Sequence, residues 1–312
     1  MTDKLLFISE KEVREHLHPL ELLAAIEAAL VELSAGKVIQ PLRTVIAIPE
    51  HSAWFGLMPA VYRDVLGAKL VTVFPQNAGK NADTHQGVIQ LFERATGTPL
   101  AVLDARSITA WRTAAASALA TRELAKPDAN SLAILGSGVQ ARTHWEMLRR
   151  VRNFDEVRIW SRTPENAQRL AREISLNATN VSVLSAEKAV RGADVIATVT
   201  HSSEPVLQGE WLTPGAHVNA VGAVGLHARE LDDTAMRQSA IVVESVEAAI
   251  KESGEIAHAN VPIYAELGQI LSREKPKPNG RNSIYKSLGV AVEDVAAARM
   301  IYIKLKSPPA AA

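Results

Sequence analysis

The stretch Leu132–Thr143, LAILGSGVQART, decides how the rest of the chain is read. Apolar residues run into Gly136-Ser137-Gly138, and Ala141 stands where the third small residue of a G-x-G-x-x-G/A turn belongs. Glycine patterns recur by chance, so context decides. Here the pattern follows a strand-like run, opens a helical run at Val139 and sits in a unit of βαβ length. The first glycine permits the tight turn, the second lets the backbone approach a pyrophosphate, and the small third residue lets helix pack on strand. The helix N-terminus adds free N–H groups and positive dipole. A ligand-free Gly-rich turn would show the same glycines, but less often in this setting.

Cofactor choice is read at the end of the second strand, about 20 residues past Ala141. An NAD site has Asp or Glu there to hold the ribose 2′-hydroxyl; this chain has Ser161-Arg162-Thr163, in RIWSRTPENA. Arg162 attracts a 2′-phosphate that a carboxylate would repel, and the two hydroxyls add hydrogen bonds. The residues therefore predict NADP(H), with NAD(H) possible at lower preference. Thr163 also suits the N-cap of a following helix with Pro164 in its first turn, and Arg162 would then be a solvated surface residue.

Outward from this turn, the texture divides the chain. From Ser131 to about Lys286, strand-like and helical runs alternate (SLAIL, EVRIW, ADVIATVT, AHVNAVG, AIVVES), which predicts a doubly wound parallel sheet. Before it, Ser9 and Pro19 open two helices and Gly36 ends the second. RTVIAIP, WFGLMPA, GAKLVTVF, GVIQLFE and TPLAVLD then read as strands of a largely antiparallel sheet. Ser107 is expected to cap the Ala-rich helix that Pro127 ends, and a last helix follows Gly289. The fold class is α/β: a Rossmann doubly wound parallel sheet plus an α+β domain with a largely antiparallel sheet.

Composition bounds the function. The 312 residues are 47% hydrophobic and 22% charged, enough for packed cores. Lys+Arg and Asp+Glu are 34 each, so no nucleic-acid partner and no membrane surface is implied. The absence of cysteine excludes thiol catalysis, thiolate metal sites and disulfides; no metal is expected. The start MTDKLLFISEKEV lacks a signal-peptide pattern, and no apolar run reaches membrane-spanning length, so a cytoplasmic protein is expected.

The polar residues beside the first sheet suggest an anion site. Arg43, Lys69 and Arg112 lie on or next to apolar runs, and arginine forks match a carboxylate. Lys69, between Ala68 and Leu70, is either a functional inward lysine or the outward residue of an alternating strand; spacing leaves both open. Arg112 interrupts a helix of small residues just before the nucleotide domain. Thr84, His85 and Gln86, in DTHQG, are expected in a loop before a strand, where His85 is a hydrogen-bonding group or a plain loop residue.

TAWRTAAASALAT, AILGSGVQARTH, GADVIATVT, PGAHVNAVGA, RELDD and KSLGVAVED together resemble the ornithine cyclodeaminase/mu-crystallin family along essentially the whole chain. QPLRTV, GLMPA, THQ, VRIWSRT and LQGEWLTPGAHVNAVGA resemble its mu-crystallin branch, whose members are NADPH-dependent ketimine reductases. The resemblance implies a homodimer whose first domains join sheets into a shared barrel, with each active site between that domain and the Rossmann domain. It also implies that the C-terminal helix packs on the first domain. The expected domains are residues 1–125 with helix 289–312, for substrate binding and dimerisation, and residues 126–288, for NADP. By motif match, Arg43, Lys69 and Arg112 become the catalytic and substrate-binding set, joined by Met58 and His85. Thr84, Arg112, Thr113, Gly136, Gly138, Val139, Gln140, Ser161, Arg162, Thr163, Val199, Val221, Ser287 and Leu288 become cofactor contacts.

Departures from the family matter as much. Cyclodeaminases carry an aspartate two residues after the glycine of their NAVGG; this chain has Gly222, Ala223, then Val224. They carry a glutamate before LMP, where Gly56 stands, and an acidic residue at Ser161. Valine is no base, so the equipment for ammonia elimination is missing. The resemblance thus implies an NADPH-preferring reductase of cyclic 2-imino acids, Δ1-piperideine-2-carboxylate and Δ1-pyrroline-2-carboxylate. Its partners are that small cyclic imino acid and a second copy of the chain. Two other readings stay open: an ornithine cyclodeaminase or alanine-type dehydrogenase, and a ligand-binding protein like the vertebrate crystallins that bind thyroid hormone.

Overall fold

The computed structural model describes residues 4–77, 79–80, 82–176 and 180–306. The elements in chain order begin β1 (Leu6–Ile8), α1 (Glu10–His16), α2 (Pro19–Ser34), β2 (Thr44–Ile48), β3 (Ala53–Tyr62), β4 (Val65–Val73), β5 (His85–Glu93), β6 (Pro99–Asp104) and α3 (Ala105–Leu124). They continue β7 (Ser131–Leu135), α4 (Val139–Leu148), β8 (Glu156–Trp160), α5 (Pro164–Ile174), β9 (Asn180–Val183), α6 (Ala186–Val190), β10 (Val195–Thr198), β11 (His217–Ala220), α7 (Asp233–Arg237) and β12 (Ser239–Val243). Last come α8 (Val246–Glu252), α9 (Gly254–Ala259), β13 (Ile263–Glu266), α10 (Leu267–Leu271), β14 (Asn282–Lys286) and α11 (Ala291–Lys306).

These elements form two compact units, residues 1–112 with 289–312 and residues 113–288. The division falls inside α3, between Arg112 and Thr113, rather than at the end of that helix where the sequence suggested 125/126. A continuous helix carries no breaker at the point where its neighbours change.

In the first unit, Ser9 caps α1 with a full capping box. Glu12 donates its N–H to Ser9 Oγ, and its carboxylate accepts the Ser9 N–H at 2.8 Å. Pro19 opens α2. The sheet order among the described residues is β1-β6-β5-β4-β3-β2, with β1 parallel to β6 and the other pairs antiparallel. Along β4, Val65, Gly67, Lys69, Val71 and Val73 are buried and their neighbours are half-buried, as period-two alternation requires. The buried face packs against α11, whose Ala291–Ala298 stretch is entirely buried. Ser107 does not cap α3. The helix starts at Ala105, three residues earlier than a Ser107 cap would allow, because the Asp104 carboxylate accepts the Arg106 N–H at 2.9 Å. Ser107 instead accepts from Arg14 Nε (3.0 Å) and donates to Glu10 (3.3 Å), tying α3 to α1.

The second unit holds a parallel sheet in the order β13-β12-β14-β11-β10-β7-β8-β9. From β7 the chain winds outward through β8 to β9, then returns to the other side of β7 through β10 and β11. The β7/β10 border is therefore the point where the winding reverses, and ligands bind there beyond the strands' C-terminal ends. β14, late in sequence, inserts between β11 and β12. Every residue of β7, β10, β11, β12 and β14 is buried, the mark of a sheet covered on both faces. Among the described residues, no helix is long and apolar enough to cross a membrane.

Candidate active site

Lys69 lies on the buried face of β4, so of its two sequence readings the inward one holds. Its Cα neighbours across the sheet are Met58 on β3 and Ile89 on β5, both buried. Its ammonium sits 2.8 Å from Asp294 Oδ2 on α11. Burial pulls Lys69 down to about 8; the Asp294 charge resists that fall, and Arg112 and Arg43 add to it.

Arg112, also buried, donates Nε to Asp294 Oδ1 at 3.0 Å and Nη1 to Glu293 Oε2 at 2.6 Å. Arg43, half-buried just before β2, donates Nη2 to the Gly289 carbonyl at 2.8 Å. Gly289 turns at φ +70°, and a Cβ there would meet the Arg112 guanidinium at 2.3 Å. Glycine thus lets both arginines reach one point of the chain. Burial pushes Asp294 up, but Arg112 and Lys69 outweigh it and hold the carboxyl below its usual range. The structure therefore gathers Arg43, Met58, Lys69 and Arg112 around one buried cluster and adds Glu293 and Asp294. Sequence reasoning missed both acids, although two adjacent acids inside AVEDVAAARM were the available signal.

His85 opens β5 instead of lying in the preceding loop, because the antiparallel ladder with β4 extends to the Val73–His85 pair. Its Nδ1 is 3.0 Å from Thr84 Oγ1, and His85 is exposed.

In the second unit, the nucleotide turn has the form its glycines predicted. Gly136 sits at φ +133°, and a Cβ there would lie 2.7 Å from the Val199 carbonyl. Gly138 is the N-cap of α4, makes no side-chain cap bond and has open space where a Cβ would be. Val139 is 63% exposed at the helix start, and Gln140 carries a buried side-chain oxygen without a hydrogen-bond partner among the described residues. These features fit a pyrophosphate: an uncapped helix end, open space above Gly138 and an unsatisfied polar atom beside it. Arg142 braces the turn, donating to the carbonyls of Ser137 (2.9 Å) and Gly138 (3.2 Å) while paired with Glu173. Sequence reasoning gave Arg142 no role.

Ser161 Oγ stands 2.8 Å from Ser137 Oγ, joining the end of β8 to the turn. Arg162 is exposed and pairs with no carboxylate among the described residues. Thr163 is the N-cap of α5 by position, but its hydroxyl makes no cap hydrogen bond. Val199, Val221 and Ser287 continue the ladder past the C-terminal ends of β10, β11 and β14: their N–H groups donate to Leu135, Thr198 and Ala220. Ser287 Oγ (2.8 Å) and Leu288 N (3.1 Å) donate to the buried Glu244, and Thr113 is buried on α3.

The loop after β11 is held by a second buried network. Glu230 accepts from Thr198 Oγ1 (2.9 Å), Thr200 Oγ1 (2.6 Å) and the Gly222 N–H (2.7 Å). Burial pushes its carboxyl up against these bonds. Lys286 donates to the Ala223 carbonyl at 2.6 Å and pairs with Glu255. A Cβ on Gly222 would fall 1.9 Å from the Thr200 carbonyl, so the loop approaches the segment after β10 more closely than any other residue permits. Val224, two residues on, is 43% exposed.

The sequence profile of the ornithine cyclodeaminase/mu-crystallin family matches residues 4–308. The chain belongs to this family. It is 45% identical over 302 residues to the ketimine reductase mu-crystallin of Mus musculus, covering 95% of this chain and 96% of that protein. Among solved structures it is similar to Thermococcus litoralis Δ1-pyrroline-2-carboxylate reductase in complex with NADH and L-proline. That match has a TM-score of 0.92 and 35% identity, over 96% of this chain and 97% of the other. An archaeal alanine dehydrogenase dimer with bound NAD matches with a TM-score of 0.92 and 30% identity, over 96% and 95% of the two chains. Both solved structures share this α/β architecture over nearly their full lengths.

Proposed function

We propose that this chain is a ketimine reductase that reduces cyclic 2-imino acids, Δ1-piperideine-2-carboxylate and Δ1-pyrroline-2-carboxylate, to cyclic L-amino acids. One observation carries this reading: a buried lysine whose ammonium is poised near pH 8 on an acidic partner, with two arginines beside it. An iminium accepts hydride far better than an imine does, so a proton must reach nitrogen at or before transfer. Lys69 is built to deliver it at neutral pH. Arg43 and Arg112 bring guanidinium charge to the same cluster and hold the imino acid's carboxylate. Met58, at Lys69's side, supplies an apolar wall for the ring. The first unit is thus the substrate side and the second the nucleotide side.

A reduced nicotinamide dinucleotide supplies the hydride. Gly136, Gly138, Val139 and Gln140 hold its pyrophosphate, Ser161, Arg162 and Thr163 its adenosine ribose, and Thr84, Arg112, Thr113, Val199, Val221, Ser287 and Leu288 complete its contacts. The two solved relatives above carry NADH or NAD. For this chain the preferred form is NADP(H), with NAD(H) second. What supports that preference is the exposed Arg162, unpaired with any carboxylate among the described residues, between two hydroxyls.

The working form is a homodimer. Its support is β2, an edge strand of the first sheet that exposes Val45 (53%) and Ile46 (51%), since long exposed apolar edges are normally covered. Val224 stands against the cyclodeaminase reading: it has no proton to move. The test is a substrate panel. Five- and six-membered ketimines with NADPH or NADH are compared with ornithine, lysine or alanine plus NAD, following nicotinamide absorbance and ammonia. Ketimine-dependent oxidation of NADPH is expected; ammonia release from ornithine with recycled NAD would overturn the reading.

A further inference from the structure

We infer that Asp294 is a positioning residue of the reduction: one carboxylate that aims the Lys69 ammonium and the Arg112 guanidinium together, each through its own oxygen. The inference rests on the proposed reductase reading. Oδ2 lies 2.8 Å from Lys69 Nζ and Oδ1 3.0 Å from Arg112 Nε, while Glu293 takes Arg112 Nη1 at 2.6 Å. Asp294 and Glu293 are fully buried, in a stretch of α11 otherwise made of Ala and Val. Buried ion pairs give little net stability over well-packed apolar residues, so stability alone does not account for three of them here.

The surroundings of Lys69 single out Asp294. α11 presents Asp294 to it, with Glu293 engaged on Arg112; α3 presents Arg112; the segment before β2 presents Arg43. The adjoining strands offer only uncharged Met58 and Ile89. Among the described residues, Asp294 is thus the one carboxylate in an ion pair with this ammonium, while burial and two arginines work to strip its proton. In the reduction, hydride adds to the C=N carbon and the π electron pair moves to nitrogen, which takes a proton as the Lys69 N–H bond breaks. Lys69 is left as a neutral amine beside Asp294 and recovers a proton from water. Asp294 keeps the ammonium formed and pointed; it does not itself touch the substrate.

The test compares wild type, Asp294→Asn and Glu293→Gln. Lys69 is titrated by NMR in cofactor-free protein labelled at the lysine ε-carbons, with Lys69→Met identifying the resonance. The pH profile of kcat/KM for ketimine reduction is measured beside it. In Asp294→Asn the Lys69 titration is expected to move down by about 1–3 pH units, and the basic limb of the profile with it. Glu293→Gln is expected to move both less and to raise KM. An Asp294→Asn protein with an unmoved titration and an unmoved limb, whatever its rate, overturns the inference. Should that variant not fold, Asp294→Glu decides: reduced kcat with an unmoved limb is expected, and wild-type kcat overturns it. If no variant nor wild type reduces a ketimine while Asp294→Asn still shifts the titration, the reductase reading fails and the Lys69–Asp294 linkage stands.

Discussion

The hydroxyls of Ser137, in the nucleotide turn, and Ser161, at the end of β8, lie 2.8 Å apart. This contact closes the turn onto the strand end proposed to hold the adenosine ribose, and it needs a small hydroxyl residue at 161. Replacing Ser161 with Asp puts a carboxylate in that place. Affinity for NADPH is expected to fall about 10- to 100-fold, the worth of a charge-assisted hydrogen bond, with NADH affinity held or improved. Arg162→Ala is expected to weaken NADPH alone. Fluorescence titration of both cofactors checks this; equal effects on NADPH and NADH would show that Arg162 reads no 2′-phosphate.

The two glycines of the turn predict opposite failures. Gly136→Ala combines a positive φ with a Cβ pressed on the Val199 carbonyl, so the protein itself is destabilised. Gly138→Ala has φ −83° and open space, so melting temperature is expected to hold while cofactor binding is lost, because the methyl group fills the pyrophosphate's approach. Thermal unfolding with and without NADPH separates the two variants.

Two buried histidines set the acid side of stability. His144 bonds Gln140 O at 2.8 Å and Ser117 Oγ at 2.9 Å, and burial pulls it down to about 4. His217 lies between Ser283 and Asn219, and burial pulls it down to about 3. The unfolded chain takes up these protons near pH 6.5 and the folded chain only well below it. Stability is therefore full above about 6.5 and falls as pH drops toward 4 and 3. His144→Gln is expected to flatten the fall of melting temperature between pH 6.5 and 4; an unchanged slope would assign the acid lability elsewhere.

Much of this fold was legible in the sequence because it is written in local patterns. The G-S-G turn, the alternating runs of β7 to β11 and the period-two strands of the first sheet each declare themselves within a few residues. What was not legible depends on distant partners. The burial of Lys69 follows from α11, more than 200 residues later, and period two alone leaves a strand's inward face undefined. Asp294 and Glu293 look like ordinary helix acids until Arg112 and Lys69 are brought to them. The insertion of β14 between β11 and β12, and the Glu230 network beneath Gly222, are long-range choices that spacing does not encode. The start of α3 was misplaced because Asp104, read as the end of a strand, takes the capping bond assigned to Ser107.

The exposed edge of the first sheet carries the quaternary prediction. Wild type is expected to sediment as a dimer, and Val45→Lys combined with Ile46→Lys to shift it toward monomer by placing charge on β2. A wild-type monomer at assay concentrations would contradict the dimeric reading.

The most direct test of the central claim is the pH dependence of NADPH oxidation with Δ1-piperideine-2-carboxylate, for wild type beside Lys69→Met. Activity that needs the Lys69 ammonium is present below about pH 8 and is lost as pH rises through that value. Lys69→Met is expected to lose about 10²- to 10⁴-fold in kcat, and the basic limb with it. A variant that keeps wild-type kcat and an unmoved profile would contradict Lys69 as the proton donor.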